Sequence, residues 1–257
     1  MGTFDRIGAE GTDELFLARI QDMADTCRHK CIPKFTAFLD ESQVFAASRY
    51  LERNAISGCC FWGGYPGAKR QMLGIFPDYM EPAGEHFPIA SFTIIYRTVD
   101  KLSHRDFLGS LMALQIKREA VGDILVSDGI CSLFTTDKVA PLVLSEVRKI
   151  GRVGVKVEQG LTTTPVAEEK FAEISGTVAS MRLDCVISLL TGKSREKAVV
   201  LIKSGVVSVN YQVCDNNSMS VNTGDIITVK GFGKARVSEE IRKTKKDRYF
   251  IVLQKYI

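Results

Sequence analysis

Histidine is scarce in this chain, with only His29, His86 and His104 among 257 residues. Acid–base catalysis would therefore fall to carboxylates or lysines, and no carboxylate pair separates itself from the ordinary helical charge pattern. Long hydrophobic runs are missing as well. No apolar stretch approaches the roughly 20 residues of a membrane span. The opening MGTFDRIGAEG lacks the apolar core of a signal peptide, and Arg6 stands where a myristoylation signal places Ser or Thr. The expected setting is the cytoplasm, with no membrane partner. Seven cysteines make an odd number in a chain too long to need a disulfide framework.

Several apparent motifs lack a necessary member. Cys27, His29 and Cys31 are neighbours, but no second Cys or His pair completes a tetrahedral metal site. Cys59 and Cys60 are adjacent on a strand and point to opposite faces. Buried thiols are expected at all of these positions and at Cys185 and Cys214. GGYPGAK has Ala68 where a phosphate loop requires Gly, and no hydroxyl residue follows Lys69. SHRDFLG resembles a kinase catalytic loop only until Leu111, which stands where the magnesium-binding Asn belongs. No catalytic residue, cofactor or metal is expected.

Hydrophobic residues make up 45% and charged residues 25%, an ordinary globular balance. The net charge of +4 is unevenly spread. Residues 178–257 hold 14 Lys+Arg against 7 Asp+Glu, and the remainder holds 20 against 23. A basic final third on a slightly acidic body suggests an anionic partner.

The patterns give an α+β chain in three parts. Residues 1–82 read as a small α+β unit. It has a helix over 13–30 with Leu15, Ala18, Met23 and Cys27 near one face, an Asp40-capped helix, and two strands around a Gly-Pro-Gly turn. Residues 83–160 follow the order β-α-β-β-α-β of a ferredoxin-like, RRM-like split sandwich. Its helix HRDFLGSLMALQ starts behind Ser103, its hairpin turns at Asp128-Gly129, and Pro141 suits the first turn of a second helix running to Ile150. No RNP-type aromatic string is visible on its strands. GLTTTPVAEEK reads as a linker, and residues 176–257 form the third part.

In that third part, RLDCVISLLTGKSREKAVVLIKSGVVSVN sets Leu183, Val186, Ile187 and Leu190 on one helical stripe. Gly192-Lys193 ends the helix, Ser194 caps the next, and Gly205 stops it. Packing leaves the basic residues unexplained. Helix starts offer amides to anions and Arg can fork onto phosphate, so Arg182 and Ser194-Arg195 are expected to line a phosphate-binding edge. The competing reading is an ion pair of these arginines with Asp184 or Glu196. Asp184 is expected to orient a basic side chain rather than to catalyse.

The ordered set Arg182-Leu183-Asp184, Ser194-Arg195, Ala198, Leu201-Ile202, Gly205, Val207, Val209-Asn210 and Gly224-Asp225 resembles the alpha-L RNA-binding domain of the ribosomal protein S-four type. The chain departs from it at Tyr211, where many members have Gly. Together with LSHRDFLGSLMALQIKREAVGDILV and GDIITVKGFGKARV, it is similar over nearly its whole length to the YlmH family of bacterial RNA-binding proteins. That resemblance implies RNA contact at Arg182, Ser194, Arg195 and Lys197, and also at His104, Arg105, Lys117 and Arg118. The basic residues Lys193, Lys203, Lys230, Lys234 and Arg236 complete the candidate set, and the run EEIRKTKKDRYF is expected to be an exposed basic edge or tail. The implied role is non-catalytic binding of ribosomal RNA, with peptidyl-tRNA, on the large ribosomal subunit. It includes ribosome quality control and an association with cell division, and no DNA partner. The alternatives are an RNA-modifying enzyme, such as a pseudouridine synthase or methyltransferase relative, and a cell-division adaptor.

Overall fold

A computed structural model describes residues 4–162, 171–244 and 247–256, with 4–13 as backbone alone. The chain divides into two compact units, Met1–Ala167 and Glu168–Ile257. Most of the expected linker, from 163 to 170, lies outside the described residues.

The first unit opens with α1 (Phe4–Lys30), β1 (Lys34–Phe35), α2 (Glu41–Arg53), β2 (Cys59–Trp62) and β3 (Met72–Ile75), the strands ordered β1-β3-β2. Asp40 caps α2 reciprocally: its Oδ1 accepts the Gln43 N–H at 2.9 Å, and Gln43 Oε1 accepts the Asp40 N–H at 3.0 Å. The buried row of α1 differs from the expected one. Ile20, Ala24 and Cys27, at i, i+4 and i+7, pack into the core, whereas Leu15 is 66% exposed. Of the thiols expected to be buried, Cys27 and Cys185 are, as is Cys131, whereas Cys31 is exposed and Cys59, Cys60 and Cys214 are half-buried.

The sandwich follows as β4 (Ile89–Ile95), α3 (His104–Ala113), β5 (Val121–Ser127), β6 (Ile130–Thr136), α4 (Ala140–Glu146), the hairpin β7 (Lys149–Ile150) and β8 (Val153–Gly154), and β9 (Lys156–Gln159). The antiparallel order β5-β6-β4-β9 places the first and third strands at the centre, the split arrangement that the element order implies. Phe107, Leu111 and Val143 from the two helices bury against Phe92, Ile94 and Leu133. Gly129, at φ +77°, takes the left-handed turn position without a Cβ penalty. Pro141 does sit in the first turn of α4. That helix stops at Glu146, short of Ile150, because Lys149–Ile150 pairs back onto Val153–Gly154.

The boundary expected at 82/83 is crossed by packed side chains. Phe38, Tyr65, Met72, Phe76, Phe87 and Phe134 form one buried cluster, and Tyr65 stacks on Phe134 at 4.9 Å. Asp123, 8% exposed on β5, accepts hydrogen bonds from Tyr65 Oη (2.7 Å), Lys69 N (2.7 Å) and Arg70 N (3.2 Å). Arg70 in turn donates to Val121 O and Phe38 O, each at 3.0 Å. A turn from the first part is thereby tied to a strand of the second, and the two share one compact unit.

The second unit comprises β10 (Phe171–Val178), α5 (Leu183–Thr191), α6 (Arg195–Lys203), β11 (Val207–Val209), β12 (Gln212–Val213), β13 (Ile226–Val229), β14 (Gly233–Val237), β15 (Arg242–Lys243) and β16 (Tyr249–Tyr256). Its sheet runs β10-β16-β14-β13-β11-β12, with β15 on β16. Leu183, Val186, Ile187 and Leu190 are buried as the stripe requires, joined by Ala198 and Ile202 from α6. The expected start at 176 falls inside β10, whose ladder with β16 runs from Phe171↔Tyr256 to Val178↔Tyr249. Within the basic run 239–250, Arg242–Lys243 form the exposed strand β15 on β16 and Tyr249–Phe250 open β16, with Lys245 and Lys246 outside the described residues. Between β11 and β12 the two-residue turn is Asn210-Tyr211, at φ +50° and +67°. The tight turn forms although Tyr stands where Gly would carry no strain.

Asp123→Ala leaves a phenol and two amides without their acceptor. It is expected to destabilise the first unit by about 3 kcal/mol, read as a lower urea midpoint. A loss below about 1 kcal/mol would show that the turn is held by other contacts.

Candidate nucleic-acid interface

Asp184 occupies the first turn of α5, where the helix dipole favours a carboxylate. Its side chain is 2% exposed. Two guanidinium groups close over it. Arg182 donates from Nε and Nη2 to Oδ1 and Oδ2 at 3.3 and 3.1 Å, and Arg195 donates from Nε and Nη2 to Oδ2 at 3.0 and 2.9 Å. Burial acting alone would raise the Asp184 pKa. The hydrogen bonds from Arg182 and Arg195 outweigh it and hold the group at about 2. The arginine side chains remain 39% and 53% exposed on their outer sides. The ion pair and an accessible cationic surface therefore coexist: one buried anion fixes two planar cations and leaves a net positive charge outward.

The amides at the start of α5 do not serve as expected. Leu183 N–H donates to Met219 O at 2.9 Å and Asp184 N–H to Asn217 O at 3.1 Å, because the 217–221 segment runs against the helix start. Anion recognition here falls to side chains. At α6 the Ser194 hydroxyl accepts the Lys197 N–H at 3.4 Å, so it acts as a cap, and Lys197 itself is exposed.

A groove of about 460 Å³ opens beside Arg195, with Lys193 and Arg248 also on its walls and no carboxylate among its lining residues. Arg248 is held by its Nη2 bond to Thr177 O at 3.0 Å. Ser188 Oγ donates to Lys193 O at 2.6 Å and fixes the turn ahead of α6. Lys193 Nζ lies 5.3 Å from the Phe232 ring centre, on the hairpin that also carries exposed Lys230. Three cations around an acid-free groove suit a phosphate backbone, which Arg can grip with two bonds. Arg248 could be read in the sequence only as part of a basic run. Its place on the groove follows from the β10–β16 ladder.

Three further candidates of this unit do not join this edge. Lys203 lies at the far end of α6, and Lys234 and Arg236 occupy the opposite face of the sheet. In the first unit, His104 and Arg105 open α3 and are exposed, whereas Lys117 and Arg118 follow its end. At that helix start Asp106 Oδ2 accepts from Ser103 N (2.8 Å) and Oγ (2.7 Å). Arg118 is committed to the fold, donating from Nη1 to Val121 O at 2.6 Å and Gly122 O at 3.3 Å. The Phe134 face of the sandwich sheet, where RRM modules stack bases, is covered at that point by Tyr65.

A carboxyl held at about 2 against an ordinary 3.8 contributes stability that is complete above about pH 4 and is lost as the pH falls towards 2. The second unit is expected to lose about 2 kcal/mol over that window, and Asp184→Asn to flatten it. Urea unfolding followed between pH 2 and 5 would show an unchanged acid limb in the variant if Asp184 were not the titrating group.

Residues 82–164 match the family described as a putative RNA-binding domain in YlmH, and residues 181–227 match the S4 domain. The ribosome-associated protein quality control protein P2 of Bacillus subtilis (strain 168) is 31% identical over 226 residues, which cover 86% of this chain and 87% of that protein. The solved structure of the cell division protein ylmH from Streptococcus pneumoniae shares the fold over 58% of this chain and 92% of its own, with a TM-score of 0.51 and 22% identity. A likeness that runs through both units, and not through the basic helix pair alone, identifies the chain as a member of the YlmH family with a C-terminal S4 domain.

Proposed function

We propose that this protein binds structured RNA on the ribosome and acts by contact, without catalysis. Its partners in this reading are ribosomal RNA and a peptidyl-tRNA on the large subunit, met in the cytoplasm during quality control of stalled chains. The observation that carries the reading is the clamped arginine pair beside a cationic groove. The two matched domains and the name of the Bacillus relative support it. Side chains already fixed by Asp184 lose little freedom when they meet a phosphate, so the clamp favours binding. It also speaks against a modifying enzyme: the carboxylate at the centre of this site is buried under two arginines and stays ionised far below neutral pH, unsuited to proton transfer.

Sedimentation of cell lysate through a sucrose gradient tests this directly. The protein is expected to travel with ribosomal subunits, and Arg182→Ala with Arg195→Ala to remain at the top. In RNA titrations the same double variant should flatten the salt slope by roughly 0.7–0.9 for each phosphate it no longer neutralises. A wild-type protein that stays at the top would instead favour the cell-division adaptor.

Asp184→Asn separates preorganisation from bulk charge. It makes the protein more positive, so charge by itself would tighten RNA binding. The expected result is weakening by roughly 5-fold, since each released guanidinium costs about 0.5–1.5 kcal/mol to order again. Tighter binding would overturn the clamp.

A further inference from the structure

Lys234 and Arg236 stand on the face of the second unit's sheet that is turned away from α5 and α6. Along β14 they alternate with Ala235 and Val237, each 1% exposed in the core. Arg236 pairs with Gln254 of β16, and two residues on Tyr256 pairs with Phe171 of β10, so all share that outer face. Three aromatic rings gather around the two cations. Phe171 and Tyr256 meet edge to face at 4.9 Å. Lys234 Nζ lies 4.7 Å from the Tyr256 ring centre and 5.1 Å from that of Tyr211. The Arg236 guanidinium lies 5.8 Å from Tyr256 and 6.0 Å from Phe171. All five residues are half-buried.

Tyr211 adds an independent observation. It holds φ +67°, a left-handed conformation that strains a residue with a Cβ and leaves glycine at ease. Its hydroxyl accepts a hydrogen bond from Lys234 Nζ at 3.2 Å, which fixes the ring beside the cation. Backbone strain retained at an aromatic residue beside a cation points to a use for the ring. Rings interleaved with cations are a means by which proteins hold unpaired nucleotides, with bases stacking on the rings and cations meeting the phosphates.

We infer that this face is a second RNA-contact surface, which takes unpaired nucleotides by stacking bases on Tyr211 and Tyr256, with Lys234 and Arg236 on the phosphates. It deepens the proposed RNA reading but uses the side of the sheet opposite Arg182 and Arg195. Phe171, Lys234, Arg236 and Tyr256 all lie outside residues 181–227, the segment matched by the S4 domain. Stacking engages the face that every base has, so little sequence preference follows. Glu173, opposite Gln254 on the same face, bounds the cationic platform on the β10 side.

The test uses the full chain and two labelled probes in fluorescence anisotropy: an oligouridylate of roughly 12 nucleotides, and an RNA hairpin. Tyr211→Gly removes the ring and relieves the turn, so thermal stability should hold or rise. Oligouridylate affinity should fall at least about 5-fold, the lower end of one stacked base, while hairpin affinity holds. Tyr256→Ala, with its fold checked by circular dichroism, should act in the same direction, and Tyr211→Phe should keep most of the affinity. Oligouridylate binding within about two-fold of wild type in both ring-removing variants, or equal losses on both probes, would overturn the inference. Lys193→Ala with Arg248→Ala removes two groove cations and leaves the Asp184 clamp intact, and it should show the reverse pattern, losing the hairpin and keeping the oligouridylate. If that variant keeps the hairpin, the groove reading fails while the outer face stands on its own result.

Discussion

A carboxylate buried beneath two half-exposed guanidinium groups organises the second unit's surface. Burying an unpaired charge is costly, so Asp184 is tolerable only because Arg182 and Arg195 satisfy both of its oxygens. The dependence is mutual. The carboxylate sets the plane and position of both cations at the start of the two helices, and the cations keep it ionised. The 217–221 segment closes the same helix start by taking two of its amides, so the outward chemistry of the edge belongs to side chains.

Asp123 in the first unit is an instructive contrast. It too is buried, but its partners are a tyrosine hydroxyl and two backbone amides, and no cation is presented outward by these bonds. The same residue type thus does two jobs. Satisfied by amides and a phenol, it ties a turn to a strand; satisfied by arginines, it arms a surface. Tyr65, which donates to Asp123, also stacks on Phe134 and covers part of the sandwich sheet. The bond that unifies the first unit therefore accompanies the loss of that sheet face as an open platform.

Local elements were legible wherever neighbours in sequence supply the physics. The α5 stripe, the caps at Asp40 and Ser194, the glycine turns at 129, 192 and 205, and the succession of strands and helices along the sandwich all depend on contacts a few residues apart or on simple periodicity. Expectation and structure part where a distant partner decides. Leu15 satisfies a helical stripe as well as Ile20 does, but only α2 and β3 select which row is buried. α4 ends early because its next residues pair as a hairpin. The boundary at 82/83 is erased by Phe134 and Asp123, neither of which advertises a partner more than fifty residues away.

The candidate site divides the same way. Composition, charge asymmetry and the spacing of Arg182, Ser194 and Arg195 were enough to indicate a cationic edge on a helix pair and a chain of the α+β class, since these are properties of residue type and period. Which cations share that edge was settled only by folding. Arg248 reaches the groove through a ladder that joins the two ends of the unit, while Lys234 and Arg236 fall on the far face because strand side chains alternate about a sheet. Sequence spacing reports what lies along one chain segment; the sides of a sheet, and the burial of Asp184 between two arginines, exist only once remote segments have paired.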